Sequence, residues 1–174
     1  MSIKIRPSLL SMGFALLTAT AAHAQAPNPR DAVPEKMPND IAYGVPISLE
    51  RADGVLMAAM NESKAKGWKL SCAVVDSGAH LVSFRRQDGA ALSSIDISTH
   101  KARAAVKFRR ETKMFENGVQ EGGNIYLLSL DDVIASRGGN PILDGGKMIG
   151  AIGCSGGTGS QDEVVSKAGI AALK

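Results

Sequence analysis

A chain of 174 residues, 44% of them apolar, with a formal net charge of +3, has enough material for one domain with a buried core. Its seven aromatic residues leave that core aliphatic and alanine-rich, and apart from Lys107-Phe108-Arg109-Arg110 no basic stripe suits nucleic acid. No CxxC, HExxH or His/Cys cluster occurs, which argues against a structural zinc site.

Lys4 and Arg6 give a positive start, Leu9 to Ala22 is apolar and small, and Ala22-His23-Ala24 has the small-x-small form of a cleavage site. Residues 1–24 therefore read as a secretory signal peptide cut after Ala24; the apolar run is too short to favour the alternative, an uncleaved anchor. Cleavage removes two basic and no acidic residues, so the mature net charge falls to +1. The expected location is periplasmic or secreted, with no membrane span in the mature protein and no nucleic-acid partner. Residues 25–45 are rich in Pro, Asn, Ala and charge without apolar periodicity, and read as a flexible N-terminal arm. Residues 46–174 form the domain.

Ser48 caps the first expected helix, with Glu50 in its first turn. Ala52, Val55, Leu56, Ala59 and Met60 recur at helical spacing, and Gly67 ends it. Leu70 to Val75 and His80 to Arg86 are strands joined by Asp76-Ser77-Gly78 as a hairpin. Ser93 or Ser94 opens a second helix, SIDISTHKARAAVKFR, with Ile97, Lys101, Ala104 and Phe108 on one side. Thr112 caps a shorter helix closed by Gly118. Ile125 to Leu130 is too apolar to hang free and reads as a short helical or extended plug. Val133 to Ser136 is a third strand. Asn140 to Leu143 and Met148 to Cys154 are the fourth and fifth, turned by Asp144-Gly145-Gly146. SGGTG (155–159) then leads into a last helix, where Ser160 and Glu163 have capping-box spacing. Runs of two and three strands with helices before, between and after give an α+β fold, an antiparallel sheet with packed helices.

The glycine loop lacks the Lys-Ser/Thr of a P-loop, and two acids in the following turn oppose phosphate; a close-packed corner is favoured over a ligand cradle. His100 sits on the second helix beside Lys101 and Arg103. A lone helix histidine is more often a surface or interface residue than a ligand. As a ligand it suits haem, which needs one or two axial ligands and cations for its propionates. His100 is then the candidate iron ligand, with Lys101, Arg103, Arg109 and Arg110 as the cations. Covalent haem is excluded because no CxxCH is present. No Ser/His/Asp or Cys/His arrangement is legible, so no catalytic residues are assigned. If the first and last strands are antiparallel neighbours, Cys72 meets Cys154; a disulfide and two buried thiols both remain open.

Three segments, AVVDSGAHLVSFRRQDGA (73–90), SIDISTHKARAAVKFRRET (94–112) and PILDGGKMIGAIGCSGGTGSQDE (141–163), resemble the GlcG/HbpS-like, or haem-degrading domain, family in order and spacing. The resemblance covers roughly residues 46–173. It implies a five-stranded antiparallel sheet in the profilin/PAS-like order 2-1-5-4-3, which places Cys72 and Cys154 on adjoining strands. It implies a compact homo-oligomer, often an octamer. Exported members bind haem and are linked to its degradation and to iron sensing, and a relative, the PduO C-terminal domain, binds tetrapyrroles. Lys101-Ala102 matches the family helix. The Thr often found shortly after that pair is replaced by Ala104 and Ala105, which turns attention to His100. The expectation is an exported oligomeric haem- or tetrapyrrole-binding protein tied to haem degradation or iron handling. The alternative is an accessory protein or enzyme acting on a small organic acid such as glycolate; whether the chain is catalytic is left open.

Overall fold

The computed structural model describes Asn28 and residues 31–173, so the expected signal peptide lies outside the described residues. The chain divides into residues 1–36 and 37–174, and every helix and strand named here belongs to the second unit. In chain order these are α1 (Leu49–Ala65), β1 (Ser71–Asp76), β2 (Leu81–Arg86), α2 (Ser93–Lys107), α3 (Lys113–Gln120), a 3-10 turn (Ile125–Ser129), β3 (Gly139–Asp144), β4 (Lys147–Ser155) and α4 (Gly159–Ala171).

The four strands make one antiparallel sheet in the order β2-β1-β4-β3. α1 and α4 cover one face. There Ala52, Val55, Leu56, Ala59 and Val165 pack with Cys72, Val74, Ile152 and Cys154. α2 covers the other, where Ala102, Ala105 and Val106 pack with Val75, Met148 and Ala151. The central strands β1 and β4 are thus buried on both sides. This is why LSCAVV and MIGAIGC read as continuous apolar runs without polar alternation.

Two glycines set the height of α2 above the sheet. Gly139 and Gly153 stand opposite each other in the β3–β4 ladder. A Cβ on Gly153 would lie 2.1 Å from the Ser98 carbonyl oxygen, and one on Gly139 would lie 2.3 Å from that of Lys101. No larger residue fits at either position without displacing the helix.

The expected five-stranded sheet is a four-stranded one. Val133–Ser136, expected as the third strand, forms no ladder, and removing it from 2-1-5-4-3 leaves the observed order. The cause lies on the outer edge of β3. The Gly139 N–H donates to the Thr112 hydroxyl at 2.9 Å, and the Gly139 carbonyl accepts from the Thr112 N–H at 2.9 Å. Further along that edge strand, Pro141 has no N–H to offer.

Several local expectations change with it. Thr112 precedes α3 but makes no side-chain cap bond, its hydroxyl being taken by Gly139, and α3 runs past Gly118 to Gln120. The capping box of α4 is Thr158 with Gln161 rather than Ser160 with Glu163. The apolar run after α3 is a 3-10 turn with no buried residue rather than a plug. Within the expected flexible arm, Ala42 and Gly44 exchange backbone bonds with Met148, and the Tyr43 hydroxyl donates to the Val106 carbonyl at 3.0 Å. Among the described residues no helix is long and apolar enough to cross a membrane.

Candidate functional site

Because Ser94, Ser98, Lys101, Ala102 and Ala105 are buried, the opposite side of α2 faces outward. Asp96, Ile97, Thr99, His100 and Arg103 line a groove there of about 410 Å³, and Asp132, from the loop before β3, closes one side. Residues three and four apart on a helix share a face, so His100 lies one turn from both Asp96 and Arg103. Among the described residues no group donates to or accepts from the half-buried His100 ring. Nor do three His, Cys, Asp or Glu side chains gather as a protein metal site, so His100 can act as a single ligand but not as part of a cage.

Asp132 adopts φ +65° and accepts a hydrogen bond from the Lys107 ammonium. That bond holds its carboxyl below the usual range, with smaller pulls from Lys107, His100 and Arg103 through space. The anion at the rim is therefore already balanced by a cation on the same helix.

The expected cations do not gather. Arg103 alone of them shares the groove with His100. Lys101 is 1% exposed; its ammonium donates to Asp162 at 2.8 Å and to the Cys154 carbonyl at 3.3 Å. Its charge is spent on tying α2 to the start of α4 past the end of β4, and it presents none to the groove. Asp162 also accepts from the Gly157 N–H at 3.0 Å, and burial pushes its carboxyl above the usual range against the pull of Lys101. Arg109, at φ +53°, donates to the Ile41 carbonyl at 3.2 Å and lies over the Tyr43 ring. Arg110 lies over Phe115, beside a separate hollow that includes Met114, Tyr126 and Leu127.

Asp96, Thr99 and Asp132 are groove residues that the sequence did not single out, and Ile97, expected on one side of α2 with Lys101 and Ala104, lines the groove while those two are buried. The four-residue step from Asp96 to His100 carried the signal for the first. Asp132 arrives by a tertiary approach that no local pattern announces. The glycine loop SGGTG lies elsewhere, where a Cβ on Gly156 would meet the Lys69 carbonyl at 2.5 Å, as in a close-packed corner.

Cys72 and Cys154 are opposite residues of β1 and β4, with Cα atoms 4.2 Å apart, and form a disulfide. Both are fully buried beneath α1 and α4.

The family described as "Haem degrading protein HbpS-like" matches residues 47–171. The chain belongs to the HbpS-like family. Protein GlcG of Escherichia coli K12 is 38% identical over 109 residues, 63% of this chain and 81% of GlcG. A double mutant of HbpS from Streptomyces reticuli superposes with a TM-score of 0.69 at 26% identity, covering 82% of this chain and 97% of that one. The PduOC:heme complex superposes with a TM-score of 0.68 at 25% identity, covering 75% and 96%. The HbpS-like match begins at Ile47 and so spans α1 through α4.

Proposed function

We propose that this HbpS-like protein is an exported, oligomeric haem-binding protein serving haem degradation or iron handling, and that haem sits on the outer face of α2. The carrying observation is the groove itself: an imidazole without a hydrogen-bond partner, one turn from an arginine, in a chain that superposes on the PduOC:heme complex. His100 would ligate the iron, Arg103 would pair with a propionate and Ile97 would supply apolar contact. The carboxylates of Asp96 and the Lys107-paired Asp132 would repel propionates and so leave Arg103 as their partner. Haem supplies an iron centre whose redox and ligand chemistry is its own; the chain contributes the ligand, the cation and the surface.

Two further features support the reading. A fully buried disulfide suits a protein matured in an oxidising compartment. Ile125, Tyr126 and Leu128 are 70%, 60% and 59% exposed, and with Met114 they make an apolar patch of the kind that self-association covers.

Native mass spectrometry with and without haem tests this directly. The expected spectrum shows a multimer that gains one haem per chain. A monomer that takes up no haem would overturn the proposal.

A further inference from the structure

We propose that the cleft between α1 and β2 is a second binding site, for a small organic polyanion. It has a volume of about 380 Å³ and lies on the α1 side of the sheet, away from the groove on α2. Met57, Met60, Asn61 and Lys64 line it from α1, and Arg85, Arg86 and Gln87 from the end of the edge strand β2.

The lining contains no carboxylate, and Lys64 and Arg85 bring their cations to it; Arg86, opposite Ser71 in the ladder, starts on the other face of the sheet. Among the described residues Lys64, Arg85 and Arg86 enter no ion pair, although the surface has acids available. Glu62, the acid nearest in sequence on α1, is taken by Lys66 at 3.2 Å. Gln87 adds to the bias. Its carbonyl oxygen accepts from the Leu70 N–H at 2.8 Å and lies 2.9 Å from the Ser63 hydroxyl, whose one proton is shared with the Trp68 carbonyl at 2.8 Å. The oxygen is thus turned inward by the Leu70 N–H, which leaves the amide NH2 as the part that can serve a ligand.

Cations held together without a counter-charge repel one another, and a multiply charged anion relieves that repulsion while accepting charge-assisted hydrogen bonds. Met57 and Met60 are one turn apart, and their polarisable thioethers offer a surface for a carbon skeleton. An adjoining hollow shares Lys64 and Gln87 and adds Lys69, Asp88 and Trp68. The cations of Lys64, Arg85 and Lys69, set against the one carboxylate of Asp88, together with Met57, Met60 and Trp68 select for two or more carboxylates on a short carbon body.

Trp68 is the chain's single tryptophan, so its emission reports on this region. The test titrates the full chain with citrate at low salt, following Trp68 fluorescence and heat in parallel. A saturable response is expected. Arg85→Gln and Lys64→Gln, both at exposed positions, should each weaken it about tenfold or more. Lys147→Gln, in the β3–β4 turn, should not change it, and His100→Ala should leave it intact while altering haem binding. Absence of saturation, equal affinity in Arg85→Gln and Lys64→Gln, or loss of citrate binding in His100→Ala would each overturn the proposal. The last two arms separate its failure from failure of the haem reading.

Discussion

Lys101→Met removes a buried ammonium while keeping most of the side chain's length and apolar volume. In the native chain the side chains of Lys101 and Asp162 are 1% and 3% exposed and 2.8 Å apart. The variant leaves the Asp162 carboxylate with the Gly157 N–H and no cation. Breaking one side of a buried ion pair costs about 3–5 kcal/mol, a large part of a domain's stability of about 5–15 kcal/mol. The carboxyl can escape part of that cost by taking a proton. Burial already raises its pKa above 3.8, with Lys101 as the opposing pull, so in the variant it rises further. A carboxyl whose folded pKa is raised holds its proton where the unfolded chain has released it. Its contribution is present below the unfolded pKa and is lost as pH rises toward the folded one, at about 1.4 kcal/mol per pH unit. Urea unfolding of the native chain, Lys101→Met and Lys101→Met/Asp162→Asn from about pH 4 to about pH 8 reads this out. The single variant should lose stability steadily with rising pH, and the double variant should recover most of the loss. A Lys101→Met protein within about 1 kcal/mol of the native chain at neutral pH, with the same pH profile, would refute the assignment of this pair as a buried tie.

Gly153→Ala pushes a methyl group into the Ser98 carbonyl and should cost about 1–3 kcal/mol or more through displacement of α2; an unchanged urea midpoint would contradict the close approach. Cys72→Ala/Cys154→Ala opens a link between residues 82 apart, and chain entropy sets its cost at about 4.5 kcal/mol as an upper figure, with a midpoint shift below about 1 kcal/mol counting against it. Burial works against the charge of Glu163, but the hydrogen bond from Lys167 and the charges of Lys167, Lys113 and Arg137 outweigh it and hold its pKa below 4.5. Its stabilisation is present above that unfolded value and lost as pH falls through the folded one, so Glu163→Gln should flatten the acid limb of the stability curve; a limb of unchanged slope would contradict this.

Much of the fold was legible because its signals are local. The helical spacing of Ala52, Val55, Leu56 and Ala59, the apolar runs of β1 and β4 and the Asp76 and Asp144-Gly145 turns all act within a few residues. Val133–Ser136 misled because its residues favour strands while the edge it would need is occupied by Thr112, reached from 27 residues away. The α4 cap was ambiguous locally, since Thr158/Gln161 and Ser160/Glu163 have the same spacing. Glu163 is drawn instead to Lys167 at 2.7 Å. The candidate site divided along the same line. The outward position of His100 and Arg103 follows from helix geometry. The burial of Lys101 does not, because lysine ordinarily reads as surface and its partner Asp162 lies 61 residues away.

Haem binding on the outer face of α2 depends on His100, and a haem titration of the full chain and of His100→Ala, followed by absorbance, measures that dependence. The native protein should show a Soret band that is weakened and shifted in the variant, with circular dichroism unchanged because the half-buried His100 ring lies outside both apolar clusters. The same Soret band and the same affinity in His100→Ala would contradict the assignment of haem to this face of α2.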